Sequence, residues 1–127
     1  MPAFNPLHDL PALRAQLTQR HESTLVVCYC AQWCDTCKQY QGEFEALADQ
    51  FPAHTFLWVD IEENPELLGD DDVENFPTLL VQTATANLFY GPMLPYISHL
   101  EKLLRHLDGT SPAVDGGPPL LRALLEA

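Results

Sequence analysis

The sequence predicts a single α/β domain in which short buried strands alternate with amphipathic helices. Two observations support this prediction. Continuous apolar runs rich in β-branched residues are separated by segments whose apolar residues recur at a helical spacing. The chain has 127 residues and is 46% hydrophobic, which suits one domain with one sizeable core. No internal repeat is visible.

The first half of the chain contains two predicted helices with a strand between them. Residues 7–20 are predicted to be helical because apolar residues recur at i, i+3 and i+7, at Leu10, Leu13 and Leu17. Residues 24–31 form a continuous apolar run that predicts a buried strand. The clearest helical pattern covers residues 35–50, where apolar side chains keep one face over several turns, and Pro52 ends it.

The second half begins with a predicted strand over residues 55–61, which is followed by an acidic segment. Residues 64–69 of that segment are predicted to be a short helical or irregular piece. Residues 78–82 and 87–90 read as two strands joined by a short polar turn, and therefore as an antiparallel hairpin. Gly91 with Pro92 is predicted to end the hairpin.

The last predicted elements are a helix and a C-terminal extension. Residues 95–107 have a helical apolar spacing, so the domain is predicted to cover residues 1–108. Residues 109–127 form a Pro/Gly-rich linker followed by a short apolar helix. That helix would expose about four leucines if it were free, so we expect it to pack on the domain or on a partner.

Charge and the N-terminal sequence restrict the partners and the compartment. The net charge is −12 with only six Lys and Arg, which argues against nucleic acid and anionic membranes as partners. The first residues contain neither a basic region nor a continuous apolar stretch, so no signal peptide or membrane span is expected. We therefore expect a cytoplasmic protein. Its four cysteines are then not expected to form a disulfide framework, because cytosolic thiols stay reduced unless a bond is catalytic or redox-sensing.

Cys34 and Cys37 are the residues most indicative of function. They follow a predicted buried strand and open a predicted helix. A cysteine at a helix N-terminus faces unpaired backbone N–H groups and the positive end of the helix dipole, and both favour the thiolate. The spacing of three residues keeps both sulfurs on one side of the first turn. The pattern predicts a nucleophilic Cys34, a resolving Cys37 and a redox-active disulfide between them, without a bound cofactor or metal.

Four motifs in order give the sequence a clear resemblance to the thioredoxin family over residues 3–107. They are Ala31-Gln32-Trp33-Cys34-Asp35-Thr36-Cys37-Lys38, Val59-Asp60-Ile61 with Asn64-Pro65, Phe76-Pro77-Thr78-Leu79-Leu80, and Gly91 before the last helix. The resemblance implies a thioredoxin fold, with a central mixed sheet of four or five strands flanked by helices. It also implies an enzyme that reduces disulfide-containing proteins and is itself reduced by an electron-donating reductase.

The resemblance also implies roles for residues around the thiols. Pro77 would have a cis peptide bond facing the sulfurs, and Phe76 would pair with a substrate strand through its backbone. Trp33 would pack beside the sulfurs, with a plain core aromatic as the alternative, and Gly91 would help to shape the site. A trans Pro77 that only starts a strand is the simpler alternative.

The sequence departs from the family pattern at several positions. Asp35 and Thr36 stand between the cysteines where thioredoxins typically have Gly-Pro, and Asp35 brings a negative charge next to Cys34. The buried carboxylate of the family and its lysine partner fall on Cys28 and Trp58. Asp60 is then the nearest acid that could handle the proton of the resolving thiol, and a solvated residue at the strand end is its simpler interpretation.

Cys28 and Cys30 share one face of the predicted strand, because side chains two residues apart point the same way. Their default interpretation is a pair of buried, inert small hydrophobes. A sharper hypothesis makes Cys28 a third thiol that bridges to Cys37 under oxidation. The alternatives to an oxidoreductase are a zinc site built from the four cysteines and a protein-binding module. The module would use the acidic segment and the C-terminal leucines, and the acidic segment would favour basic partners.

Overall fold

A computed structural model gives the fold of the chain. It describes residues 3–5, 9–19, 24–31, 34–63, 67, 77–83, 86–107, 113–114, 118, 120–121 and 125. Within these ranges a five-stranded sheet has helices on both faces, which confirms the predicted mixed sheet flanked by helices. Across the described part of the chain, no helix has both the length and the apolar character that crossing a bilayer requires.

The sheet combines parallel and antiparallel strands. Its strands are β1 (Ala3–Phe4), β2 (Leu25–Cys30), β3 (Thr55–Asp60), β4 (Thr78–Gln82) and β5 (Asn87–Pro92), in the spatial order β1-β3-β2-β4-β5. β3 runs parallel to β1 and β2, while β4 runs antiparallel to β2 and β5. β2 lies in the centre, and each of its six residues is buried, as expected for a continuous apolar run.

Within the described ranges, three helices cover the sheet: α1 (Leu10–Gln19), α2 (Asp35–Ala48) and α3 (Ile97–His106). α2 buries Tyr40, Phe44 and Leu47, the apolar face that its sequence spacing predicts. α1 buries Leu13 and Leu17 by the same rule. Helices and strands thus begin and end within a few residues of the predicted bounds. Where both bounds are described, the ends differ by up to two residues, and β5 is the element that is longer than predicted.

Two apolar cores lie on opposite faces of the sheet. The first, here called the thiol-side core, packs α2 and α3 against one face of β2, β3 and β4. The second, here called the α1-side core, packs α1 and the C-terminal leucines against the other face. Alternate residues of β2 belong to different cores: Val26, Cys28 and Cys30 to the thiol-side core, and Leu25, Val27 and Tyr29 to the α1-side core.

Two strand predictions needed correction. β1 was not predicted because only Ala3 and Phe4 pair with β3, and two residues are too short for a visible period-2 pattern. β5 continues through Gly91 and Pro92, which were expected to end the hairpin. Pro92 fits there because β5 is an edge strand of the sheet. Proline lacks a backbone N–H, and an edge strand does not need that group to bond a further strand.

Two leucines of the C-terminal extension pack against the domain. Leu121 and Leu125 are buried in the α1-side core, while Leu120 remains exposed. The Leu121 N–H donates to Gln82 Oε1 at 2.8 Å, and Leu125 C=O accepts from Arg14 Nε at 2.7 Å. Most of the predicted linker lies outside the described residues, but the described leucines share a core with α1.

Of the short helical or irregular piece predicted over residues 64–69 of the acidic segment, only Leu67 lies within the described residues. Leu67 is buried in the α1-side core. Its carbonyl oxygen accepts a 2.7 Å hydrogen bond from the Tyr29 hydroxyl. Because Tyr29 stands between Cys28 and Cys30 in sequence, this bond fixes one point of the acidic segment against the strand that carries two of the thiols.

Candidate active site

The four cysteines meet where β2 ends and α2 begins. Cys28 and Cys30 lie on the face of β2 that α2 covers, and Cys37 lies on the buried face of the first turn of α2. Cys34 is the N-cap residue of α2, with extended backbone angles of φ −87° and ψ 117°. The strand-to-helix transition therefore brings four sulfur-bearing residues into one region, as the sequence predicts for Cys34 and Cys37.

The disulfide in this structure joins Cys37 to Cys30, with 5.9 Å between the two Cα atoms. The predicted bond between Cys34 and Cys37 is not the one formed, and the prediction that Cys30 is inert is wrong. The reason is geometric. Cys37 points from α2 toward the sheet, where the last residue of β2 stands opposite, at a Cα separation typical of disulfides. The alternative bridge from Cys28 to Cys37 is not formed either, since Cys28 is a free thiol.

Cys34 is a free, half-buried cysteine. Its backbone N–H donates to Ala31 C=O at 3.1 Å, and its C=O accepts from the Lys38 N–H at 3.2 Å, which closes the first turn of α2. Among the described residues, its side chain makes no capping hydrogen bond. The N–H groups of the first turn have no partner inside the helix, so they are oriented toward the N-cap position where this sulfur lies.

The two residues between Cys34 and Cys37 differ in exposure. The Asp35 side chain is 94% exposed, and its carboxylate lies 3.9 Å from Lys38 Nζ, one turn along α2. This is a solvent-screened surface ion pair, so the Asp35 charge acts on Cys34 through water and beside a compensating cation. Thr36 is half-buried in the same turn.

Beneath the disulfide, Cys28 and Tyr40 provide a dry environment. Cys28 Sγ lies 3.8 Å from Cys30 Sγ, and since Cys30 carries no hydrogen in the disulfide, the Cys28 thiol is the donor. Complete burial raises the pKa of the Cys28 thiol well above its ordinary value. The pKa of the Tyr40 phenol is also raised, by burial first and then by the charges of Cys28 and Glu43. Within the described residues, the Tyr40 hydroxyl has no hydrogen-bond partner.

Asp60 lies beside Cys30 in the sheet. The two residues are register partners in the parallel pair β2 and β3, and Trp58 is likewise the partner of Cys28. Asp60 is half-buried, and its Oδ1 accepts the backbone N–H of Glu62 at 2.8 Å. The predicted auxiliary acid is therefore the neighbour of Cys30 across the sheet, at the strand end that its simpler interpretation also implied.

The remaining predicted site residues are partly described. Pro77 is buried at the start of β4, beside the end of β2, and its C=O accepts from the Met93 N–H at 3.0 Å. Gly91 pairs with Leu79, and a Cβ added to it would meet nothing within 4 Å, so space alone does not require glycine there. Trp33 and Phe76, and with Phe76 the peptide bond to Pro77, lie outside the described residues.

A zinc site was the sequence-based alternative at these cysteines. Two of its four thiolates, those of Cys30 and Cys37, are joined in the disulfide and cannot ligate a metal in this form. Within the described ranges, no three His, Cys, Asp or Glu side chains are grouped as ligands for a metal ion.

A comparison with protein families identifies the scaffold. The family model described as Thioredoxin matches residues 11–90, which include β2, α2, β3, β4 and most of β5. The chain belongs to the thioredoxin family. This agrees with the motifs that the sequence shares with thioredoxins and with the strand order of the sheet.

Individual thioredoxins are similar to this chain over part of their length. Thioredoxin H10 of Arabidopsis thaliana is 38% identical over 78 residues, 60% of this chain and 51% of that protein. The thioredoxin of Ophiophagus hannah is 29% identical over 70 residues, 55% of this chain and 67% of that protein. The matched segment thus spans about half to two thirds of these thioredoxins.

Known thioredoxin structures resemble about three quarters of the chain. The Fasciola hepatica thioredoxin superposes with a TM-score of 0.62 at 26% identity, covering 76% of this chain and 93% of that one. The germline-specific thioredoxin Deadhead of Drosophila melanogaster superposes with a TM-score of 0.66 over 78% of this chain and 94% of that one. At 18% identity, the second comparison supports the thioredoxin fold alone.

Cys30 is the disulfide-forming residue that sequence reasoning missed. One signal was available: Cys30 ends the strand directly below the helix start, on the face that α2 must cover. The choice between Cys28 and Cys30 as the partner of Cys37 depends on how far β2 extends beneath the first turn of α2. That distance is a tertiary property that the local sequence does not specify.

Proposed function

We propose that this protein is a thiol-disulfide oxidoreductase that reduces disulfides in other proteins, with Cys34 as the attacking thiol and Cys37 as the resolving thiol. Members of the thioredoxin family are disulfide oxidoreductases, and the family model covers the segment that contains both cysteines. The observation that carries the proposal is the position of Cys34, a half-exposed free thiol at the N-cap of α2.

The proposed reaction is two successive thiol-disulfide exchanges. The Cys34 thiolate attacks one sulfur of a substrate disulfide, which forms a mixed disulfide and releases the other substrate sulfur as a thiolate. Cys37 then attacks Cys34, forms the Cys34–Cys37 disulfide and releases the reduced substrate. Cys37 takes part only when it is not bonded to Cys30, so the fully reduced protein is the form that begins the cycle.

Partners and compartment follow from charge and from thiol chemistry. A net charge of −12 favours substrates with neutral or basic surfaces and disfavours nucleic acid and anionic membranes. An electron-donating reductase must return two electrons after each cycle. A reducing compartment such as the cytoplasm suits a protein that must begin its cycle with free thiols.

A trapping experiment tests the proposed function. A Cys37→Ser variant cannot resolve the mixed disulfide, so the reduced variant incubated with insulin should form a covalent one-to-one adduct through Cys34, seen by intact-mass analysis. A Cys34→Ser variant provides the matched control and should form no adduct. The proposal fails if the two variants give equal amounts of adduct, or if the Cys37→Ser variant forms none.

A further inference from the structure

Cys37 stands between two alternative partners. Cys34 precedes it by three residues at the start of α2, and Cys30 lies below it at the end of β2, bonded to it in this structure. We propose that Cys30 is a third redox cysteine, which takes over the disulfide from Cys34 by attacking the Cys37 sulfur. This inference rests on the proposed function. It adds a step to that function, in which the disulfide is held between two buried cysteines.

The transfer of the disulfide from Cys34 to Cys30 is here called the relay, and its cysteines differ in burial. Cys30 and Cys37 are each only 1% exposed, whereas Cys34 is half-buried and free. A disulfide between two buried sulfurs is out of reach of other proteins, because exchange requires in-line access to a sulfur. Electrons therefore enter and leave through Cys34, and the bond between Cys30 and Cys37 is a protected form.

The step balances without any external oxidant. The Cys30 sulfur attacks the Cys37 sulfur of the Cys34–Cys37 disulfide, a Cys30–Cys37 bond forms, and the bond to Cys34 breaks. Cys34 leaves as a thiolate, and the proton that Cys30 gives up is available to protonate it. One disulfide and one thiol exist before and after, so the oxidation state of the protein does not change.

Two features of the structure favour this direction. The leaving sulfur, Cys34, lies at the helix N-terminus, where unpaired N–H groups stabilise a thiolate and so make it a good leaving group. The attacking sulfur, Cys30, is only 1% exposed, and burial disfavours a free thiolate relative to the uncharged disulfide that it forms.

The relay has a chemical consequence for the oxidised protein. After the transfer, Cys34 is again a free nucleophile although the protein holds a disulfide. Reduction must then run backward: Cys34 attacks Cys37, the exposed Cys34–Cys37 bond is restored, and an external reductant attacks that bond. Every exchange with the outside therefore needs Cys34, even though Cys34 takes no part in the stored bond.

Peptide mapping locates the bond directly. Chymotryptic cleavage after Tyr29 and Trp33 leaves Cys30 alone on residues 30–33, while Cys34 and Cys37 remain together on residues 34–40. The reduced protein is equilibrated in a glutathione redox buffer, quenched with acid and labelled with N-ethylmaleimide. We expect the main oxidised species to link the two peptides and to carry the label on Cys34. A main species with the bond inside residues 34–40, or with Cys28 linked to Cys37, would overturn the proposal.

Two buried variants provide the comparison. Cys30→Ala should keep the bond between Cys34 and Cys37 at equilibrium, with Cys34 unlabelled, and Cys30→Ser serves if the alanine variant does not fold by circular dichroism. Cys28→Ala removes another thiol from the same strand face and should still give the linked peptides. Loss of the Cys30–Cys37 bond in Cys28→Ala, with its fold intact, would contradict the relay.

Kinetics separate the relay from direct oxidation of the buried pair. In Cys34→Ser no accessible thiol starts the exchange, so the Cys30–Cys37 bond should form at least about tenfold more slowly than in the wild type. Equal rates would overturn the relay. Failure of the proposed function gives a different result, because the protein would then form no adduct with insulin while the glutathione experiment still places the bond at Cys30.

Discussion

At the scale of single residues, the thiol-side core contains one polar atom that costs stability. The Tyr40 hydroxyl is buried without a partner among the described residues, whereas the buried Tyr29 hydroxyl donates to Leu67 C=O at 2.7 Å. We expect Tyr40→Phe to leave the free energy of unfolding unchanged or to raise it by about 1 kcal/mol, and Tyr29→Phe to lower it by about 1 kcal/mol. Urea denaturation of the two matched variants measures both effects, and equal losses would contradict the interpretation.

The buried Cys28 thiol predicts a loss of stability at high pH. Its pKa is raised well above the ordinary value of 9.0 because burial opposes the thiolate. Above about pH 9 the unfolded chain releases a proton that the folded protein keeps, so the free energy of unfolding falls by about 1.4 kcal/mol per pH unit for this group.

Cys28→Ala should reduce the decrease in the free energy of unfolding between about pH 9 and pH 10. At higher pH, Tyr40 adds a contribution of the same sign. Denaturant unfolding of the oxidised protein at several pH values measures it, because the Cys30–Cys37 bond is then present in both states. An unchanged slope in the variant would mean that another group causes the fall.

At the scale of elements, the contribution of α2 to stability depends on helix propensity as well as on burial. Gly42 lies exposed in the middle of α2, and a Cβ there would meet nothing within 4 Å. Gly42→Ala should therefore raise the free energy of unfolding by about 0.5–1 kcal/mol, because alanine loses less backbone entropy in a helix. Ala46→Gly, at another exposed position of α2, is the matched reversal and should lower it by a similar amount. Thermal unfolding would contradict this if both changes had the same sign.

Elements with a strong local pattern could be predicted from the sequence, and those fixed by distant contacts could not. β4 was predicted at its observed bounds because a short apolar run between turns has few alternatives. β1 forms because Ala3 and Phe4 pair with the free edge of β3, a contact that is distant in sequence. The site divides in the same way: the helix start identified Cys34 and Cys37, whereas the partner of Cys37 depends on how α2 lies over β2.

At the scale of the whole molecule, the C-terminal extension is part of the fold. Leu121 is fully buried beside α1, and its backbone N–H bonds to the buried Gln82 side chain. We expect Leu121→Ala to lower the free energy of unfolding by about 2–5 kcal/mol. Leu120→Ala, at a side chain that is 37% exposed, should change it by less than about 1 kcal/mol. Chemical denaturation compares them, and equal effects would contradict a docked extension.

The alternation of β2 also sets which genetic changes the protein can tolerate. Cys28 and Cys30 face α2, while Tyr29 faces α1, because successive side chains of a strand point to opposite faces. Deleting or inserting one residue in β2 ahead of Cys28 would turn the side chains of both cysteines away from Cys37 and place the Tyr29 ring on the face that α2 covers. Lineages that keep this chemistry should therefore vary β2 by substitution and conserve its length, while length changes should collect in the turns on either side.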